Sequence, residues 1–328
     1  MRAIRIERTG GPEVLQCVDL PRPALGPDDV LVRTEAIGVG MPDVMVRKGI
    51  YRWMPRLPAV IGIESAGRVE ARGERVASIA VGQRVYVNAR DLPERSGGYA
   101  EYRVAPAAVV HPLPDGVDLR QAAALGNYQV AESLLRLAPP HTRSVGVVGA
   151  AGGVGSAAVQ LASLRGWRAI GIAGGSEKCA FVTAQGAVAT VDHRLEGIAD
   201  GLRRVTDGDG VDLVLDPVGG ALLPTLFAAL APLGLVVAYG GLGGEPGAET
   251  IAAMRARFGA SPGLRLFSMH TWDARPDVRA DLTRTLIGHL VAGAIAPSID
   301  RTFPLDQARA AHERFEAGHH RGRIVLVP

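Results

Sequence analysis

Apolar and polar positions follow two rhythms along this chain. Up to about residue 110 the apolar residues sit in short, β-branched runs: "MRAIRIE", "DDVLVRTEAIGVG", "AVIGIESAGRVEARG", "GQRVYVN" and "YAEYRVAP". Gly, Pro and Asp interrupt them, which predicts an all-β segment. From about residue 120 the period lengthens. "DLRQAAALGNYQVAESLLRLA" reads as helix and is stopped by Pro139-Pro140. Strands are then predicted at Val145–Val148, Ala169–Ala173, Ala189–Val191, Val211–Asp216 and Leu235–Tyr239. Helices are predicted between them, near Val154–Leu164, Glu177–Gln185, Leu195–Val205 and Ala221–Leu230. Strands and helices that alternate over short links imply an α/β fold with a doubly wound parallel sheet. The tail adds a helix at about Pro276–Ala292, the segment "IDRTFPLDQARAAHERF" and a last strand in "GRIVLVP". No internal repeat or low-complexity segment is present.

One stretch is nearly bare of side chains. Residues 149–155 read "GAAGGVG", between the strand Val145–Val148 and a helix whose Val154, Ala157, Ala158, Leu161 and Leu164 share a face. A tight turn there lets a phosphate reach backbone N–H groups and the positive end of a helix dipole. The usual G-x-G-x-x-G spacing fits only in part, because Ala150 stands at its first glycine; Gly149, Gly152 and Gly155 fit G-x-x-G-x-x-G. What gives the turn weight is its place between strand and helix at the start of a run of such units. Gly149, Gly152, Gly153, Val154 and Gly155 are therefore candidate cofactor-binding residues, as are Tyr239 and Gly240 at the end of a later strand.

The next strand bears on which dinucleotide binds. NAD sites carry an acid at its end, about 20 residues past the glycines. Here the end reads "GIAGGSEK", so Gly174 and Gly175 form the tip. Ser176 and Lys178 follow, and Arg194 follows the third strand; a hydroxyl and two cations suit a 2′-phosphate. Glu177 is the one opposing residue, at a helix start. This favours NADPH.

Composition narrows the class. The chain has 328 residues, which predicts two domains. It is 47% hydrophobic with a net charge of +3, and its cations are scattered, so no nucleic-acid footprint is expected. Cys17 and Cys179 are its only cysteines, which argues against a disulfide framework and fits a reducing compartment. "MRAIRIERTG" lacks the apolar core of a signal peptide and no apolar run has spanning length, so a cytoplasmic protein without a membrane partner is expected.

Several motifs together resemble the medium-chain dehydrogenase/reductase superfamily, and within it the zinc-free NADPH:quinone oxidoreductase group. They are "GGPEVL" (10–15), "GVGMPDVMVRKGIY" (38–51), "PAVIGIESAGRVEARG" (58–73), "VGQRVYV", "GGYAEY", "GAAGGVGSAAVQLA", "VDLVLDPVGG", "IDRTFPLDQARAAHERFEAG" and "GRIVLVP". They span almost the whole sequence. The resemblance implies a GroES-like, β-rich catalytic domain from residues 1–120 and 266–328, with a Rossmann NADP-binding domain at 121–265 between. It also implies a homodimer and a small-molecule substrate. The expected reaction is hydride transfer to a conjugated carbonyl, a quinone first. An enone, alkenal or enoyl-thioester reductase is the alternative, and a non-catalytic NADPH-binding structural or regulatory protein a further one.

Zinc-dependent relatives carry a Cys near the position of Gly40 and a Gly-His-Glu where this chain reads Gly62-Ile63-Glu64. They also carry a lobe of four cysteines, which is missing here. No metal site is therefore expected. The resemblance assigns Gly40, Asp43, Asn127, Tyr128 and Gln129 to the substrate side. Two of these places depart from the group, which usually has Asn at Gly40 and Thr-Ala in the helix around Asn127–Val130. Arg323 stands where Lys is common and keeps a cation that can face the cofactor. Tyr51 closes "RKGIY" and is the candidate proton donor, with packing beside Trp53 as its alternative role.

Overall fold

In the computed structural model, which describes residues 1–328, the chain divides into two units. One comprises Met1–Gly126 with Asp273–Pro328, the other Asn127–Trp272.

The first unit begins with β1 (Arg2–Ile6), β2 (Gln16–Asp19) and β3 (Asp29–Val39). Helix α1 (Met41–Lys48) follows, then β4 (Ala59–Val60), β5 (Glu64–Arg72), β6 (Arg84–Asn88), β7 (Tyr102–Pro106), β8 (Val110–Pro112) and α2 (Leu119–Ala122). The expectation of an all-β N-terminal segment is thus corrected by α1. It starts at Gly40-Met41-Pro42, where proline tolerates the first turn and Asp43 bonds back to the Gly40 N–H; Gly49 ends it in the left-handed region.

The second unit holds α3 (Leu125–Leu135, which starts just before the division), β9 (Ser144–Val148), α4 (Gly153–Leu164), β10 (Arg168–Ala173), α5 (Ser176–Ala184), β11 (Ala189–Asp192) and α6 (Ile198–Arg204). It continues with β12 (Val211–Asp216), α7 (Leu223–Leu226), β13 (Leu230–Ala238), α8 (Ala248–Ala256) and β14 (Gly263–Leu266). The tail returns to the first unit with α9 (Pro276–Val291), β15 (Ile299–Pro304), α10 (Ala308–Glu316) and β16 (Arg323–Val327).

In the first unit a seven-stranded sheet runs β15-β16-β3-β5-β6-β8, with β7 also on β3, beside a three-stranded β2-β1-β4 sheet. The tail belongs here for two reasons. Strand β16 pairs antiparallel with β3, Ile324 opposite Val39, and Arg279 of α9 bridges Asp91 at 2.8 Å and Asp273 at 2.7 Å. Alternate residues of the strands point inward: Ile37, Val39, Ile324 and Leu326 form one core with Ile4 and Tyr99, and Val30, Val32, Val85 and Val87 form another.

In the second unit the six-stranded sheet runs β11-β10-β9-β12-β13-β14, and all its pairs are parallel. The order reverses between β9 and β12, which is the dinucleotide-binding topology, and ligands bind at the carboxyl ends there. One local expectation is corrected. The segment 221–230 is not one helix; it breaks into turns at Gly220–Leu222, Leu223–Leu226 and Phe227–Ala229. The strand predicted at Leu235–Tyr239 lies in β13, and β14 pairs outside it as the sheet edge.

Candidate functional site

In the second unit the glycine turn joins β9 to α4. Gly149 has φ +66°, a left-handed conformation in which a side chain is strained. The Gly152 N–H donates to Gly149 O at 3.0 Å, and the Ala150 N–H ties the turn to β10 through Ile172 O at 3.0 Å. A methyl group on Gly155 would run into Gly149 O and Ala150 Cα, so the helix can pack this close only with glycine there. Gly152 has nothing nearer than Gly149 O, at 3.4 Å from a methyl carbon built on it. The turn is therefore a cradle closed on the sheet side and bare at Gly152, the form a pyrophosphate needs.

Asn127 lies against this turn: a methyl group on Gly153 would collide with its side-chain amide. Its neighbours point elsewhere. The Tyr128 hydroxyl donates to Gln160 Oε1 at 2.9 Å, and Gln160 donates on to Gln185 Oε1 at 2.6 Å, so this Tyr braces α3 against α4 and α5. Burial raises the Tyr128 pKa above the usual phenol value. Gln129 is buried and its carbonyl accepts from Ser133 Oγ at 2.8 Å.

At the tip of β10, Ser176 is exposed and Lys178 half-buried. Arg194 reaches the glycines: a methyl group on Gly175 would lie 3.0 Å from its Nη1, and one on Gly174 would lie 3.1 Å from its Nε. Sequence reasoning missed two residues here. His193 stands over Gly174, its Nε2 2.8 Å from the same methyl position. Asp192 Oδ1 accepts from the Gly175 N–H at 2.9 Å and the Arg194 N–H at 3.0 Å, and these backbone donors hold its carboxyl below its ordinary pKa. The available signal was "VDHR", which ends the strand next to β10. Farther along the sheet, buried Asp216 accepts from the Val218 and Gly219 N–H groups at 2.8 and 2.9 Å. The Tyr239 N–H donates to Asp216 O at 2.9 Å, and Gly240 packs so closely on Pro217 O that no side chain fits.

In the first unit, Gly40, Asp43, Glu64 and Arg323 form one buried cluster. Asp43 Oδ2 accepts from the Gly40 N–H at 2.8 Å and its Oδ1 from the Ile63 N–H at 3.0 Å. Burial pushes its pKa up to about 6, against the pull of Arg323 and those two donors. Glu64 Oε2 accepts from the Tyr86 hydroxyl at 2.9 Å and the Gly126 N–H at 2.8 Å; its Oε1 is ion-paired with Arg323. The Arg323 guanidinium also fills the space beside the backbone of β3. A methyl group on Gly40 would lie 2.8 Å from its Nη1, and one on Gly38 would run into it. The larger cation at 323 thus goes with a bare residue at 40. The structure places Arg323 inside the unit, ion-paired with Glu64 and within the electrostatic reach of Asp43.

Tyr51 is 6% exposed and packs in the core with Ile4, Val46 and Ile61. Trp53 is its aromatic neighbour at 5.8 Å between centroids. Tyr99, in the same core, meets His312 Nε2 at 3.1 Å, and burial pushes the His312 pKa down to about 3, helped by Arg47.

Comparison with known proteins agrees with both halves. A model of the alcohol dehydrogenase GroES-like domain matches residues 26–115, and one described as zinc-binding dehydrogenase matches 185–326. A quinone oxidoreductase of Pseudomonas aeruginosa is 32% identical, over 100% of this chain and 99% of its own. One from Lama guanicoe is 31% identical, over 100% and 97%. Among solved structures, the quinone oxidoreductase of Pseudomonas syringae pv. tomato superposes with a TM-score of 0.87 at 32% identity, over 100% and 99% of the chains. The Escherichia coli quinone oxidoreductase complexed with NADPH gives 0.88 at 27% identity, over 100% of each. Zinc, named in the second model, does not fit this chain. Gly40 and Ile63 offer no donor, and no group of three or more His, Cys, Asp or Glu side chains is placed to hold a metal ion.

Proposed function

The chain belongs to the zinc-free quinone oxidoreductase group of the medium-chain dehydrogenase/reductase superfamily, and on that premise we propose that it reduces quinones with NADPH. The observation that carries this reading is the glycine cradle at Gly149–Gly155, together with a strand tip at Gly174-Gly175 that presents Arg194 and no acid of its own. When bound, NADPH supplies a hydride; a quinone that takes it with one proton leaves as a hydroquinone. Gly152, Gly153, Val154 and Gly155 would hold the pyrophosphate with backbone N–H groups, and Ser176, Lys178 and Arg194 the 2′-phosphate. Asn127, lying on the same turn, would orient the cofactor's phosphate end. A conjugated dione suits this chain, because its reduced oxygen is stable as a phenol or phenolate and needs a hydrogen-bond donor, not a metal.

The test is NADPH oxidation over a panel of p-quinones, enones and enoyl thioesters. The reading expects quinones to give the highest kcat/KM. A higher value for enoyl thioesters would move the chain to the alternative class, and no turnover with any acceptor would leave a binding protein.

For Tyr51, the burial supports the packing role. Tyr51→Phe is expected to keep kcat on quinones within about threefold of wild type, whereas general acids contribute about 10²-fold or more. A fall of that larger size in steady-state assays would restore the phenol as proton donor.

We place the protein in the cytoplasm, because both cysteines are free thiols and Cys17 is exposed. No helix is long and apolar enough to cross a membrane. A homodimer through β14 fits the exposed edge: Leu266 is 62% and Phe258 81% exposed, and the outer backbone groups of the strand have no sheet partner. Light scattering at micromolar concentration should give twice the chain mass, and Leu266→Lys should halve it. A wild-type monomer would reject the dimer.

A further inference from the structure

We infer that Tyr99, His312, Arg47 and Glu316 are positioning residues for quinone reduction: they form a two-rung polar clamp that sets the register of α1 against α10, and with it the place of Gly40. The inference rests on the quinone-reductase reading above, with the start of α1 bordering the quinone.

The clamp lies wholly within the first unit. Helix α1 turns two polar side chains inward, Asp43 and Arg47, one turn apart; Asp43 is 1% exposed and Arg47 0%. Helix α10 matches them with His312 and Glu316, also one turn apart. Arg47 Nη2 donates to Glu316 Oε2 at 2.5 Å, and Lys48 Nζ meets Glu316 Oε1 at 2.6 Å. The other rung runs through Tyr99, whose hydroxyl meets His312 Nε2 at 3.1 Å and is hydrogen-bonded to Asp43 as well. The Tyr99 ring stands edge-on to the imidazole, at 80°. Val46 of α1 and Ala308 and Ala311 of α10 share one apolar core around the rungs.

The charges of the parts follow from their neighbours. Burial pushes the Asp43 pKa up to about 6, so it is ionised at neutral pH and can only accept. Tyr99 therefore gives its one proton to Asp43, and His312 Nε2 carries the hydrogen that Tyr99 accepts. Burial, helped by Arg47, holds that imidazole neutral with a pKa of about 3. Burial pushes the Glu316 carboxyl up, but Lys48 and Arg47 outweigh it and hold it below its ordinary value. Arg323, Glu64 and Arg103 also face Asp43.

Two different rungs specify one register. A slide of α1 by one turn, about 5.4 Å, brings either Arg47 beside the neutral His312 or Asp43 beside Glu316. The first deprives a buried cation of its carboxylate, the second puts two carboxylates together, and both are costly in the interior. Apolar packing alone penalises such slips far less, which is why buried polar residues serve to fix register. The register matters at the start of α1. Asp43 Oδ2 takes the Gly40 N–H at 2.8 Å and its Oδ1 the Ile63 N–H at 3.0 Å, so the rung that holds Asp43 also holds the first turn.

The test removes the ions of one rung together. Arg47→Met with Glu316→Gln leaves no buried charge unpaired, so its unfolding midpoint in denaturant should stay near wild type. Glu316→Gln alone leaves Arg47 buried without a partner and should lower the midpoint. In the double variant NADPH affinity, read by fluorescence titration, should be unchanged. Its KM for a p-quinone should rise about tenfold or more, as small misplacements at a reacting centre do. Arg47→Lys keeps a cation for Glu316 and should stay near wild type. Tyr99→Phe keeps the ring, removes the other rung and should also raise the quinone KM. A stable double variant with the wild-type quinone KM overturns the inference, because the clamp is then packing alone. If the double variant does not fold, Tyr99→Phe decides, and an unchanged quinone KM there overturns it. If the wild type reduces no quinone at all, the quinone-reductase reading fails and takes the inference with it.

Discussion

Arg323→Met is expected to destabilise the protein by about 3–5 kcal/mol, the usual cost of removing one partner of a buried ion pair. Arg323 lies on β16, Glu64 on β5 and Asp43 on α1, and all three are buried. Without the guanidinium, Glu64 keeps the Tyr86 hydroxyl and the Gly126 N–H, and Asp43 keeps two backbone donors, but the cation ion-paired with Glu64 is gone. The loss is a large part of a typical margin of about 5–15 kcal/mol. Denaturant unfolding should show a lower midpoint with an unchanged slope. The loss should also depend on pH. Burial raises the Asp43 pKa to about 6 in the folded chain, above its ordinary value of 3.8. Such a carboxyl contributes stability in full only below its unfolded value, and loses it as pH rises through the folded one. Removing Arg323 extends this behaviour, so the variant should be hurt more at pH 8 than at pH 5. Adding Glu64→Gln should return part of the lost stability. A cost below about 1 kcal/mol at pH 8 would mean that the cluster is hydrated and that Arg323 is free for another role.

Gly155→Val is expected to weaken NADPH binding by about 100-fold or more, equivalent to about 2.7 kcal/mol. The first carbon of the new side chain already collides with Gly149 O and Ala150 Cα. Both are backbone atoms of a turn that the Ala150 N–H ties to β10, so the turn must open and α4 must shift. Either movement misaims the N–H groups of Gly153 and Val154 that would meet the pyrophosphate. Gly152→Ala is the control, because a methyl group there meets only Gly149 O at 3.4 Å. It should fold normally and lose less affinity. Fluorescence titration with NADPH measures both. Wild-type affinity in the valine variant would place the cofactor away from this turn.

Much of the fold was legible because burial imposes periodicity. Val211–Asp216 is a strand at the bounds its apolar run predicts, and the helix expected at about Pro276–Ala292 ends at Val291. What the pattern missed was short or set by distant contacts. Helix α1 has eight residues, lies between glycines and begins with Met-Pro, so its signal is the Asp43 cap and not a hydrophobic stripe. Strand β14 is four residues, Gly-Leu-Arg-Leu, and only its pairing with β13 makes it a strand. The site divided in the same way. The glycine turn is local and could be read directly. The Arg323–Glu64 pair spans 259 positions, so spacing could not show that the last strand's cation is consumed beside Gly40. His193 was hidden because its neighbour, the tip of β10, is adjacent in the sheet and not in the sequence.

The most direct measurement of the central claim is the stoichiometry and cofactor dependence of quinone reduction by the purified chain. NADPH and a soluble p-quinone are mixed under anaerobic conditions, and the loss of reduced nicotinamide and the yield of hydroquinone are followed together. The account predicts one hydroquinone per NADPH consumed, with kcat/KM higher for NADPH than for NADH by about tenfold, as one charge-assisted contact to the extra phosphate supplies. Equal or better use of NADH would contradict the cofactor assignment at Gly174–Arg194, and NADPH left unconsumed in the presence of quinones would contradict the proposed activity.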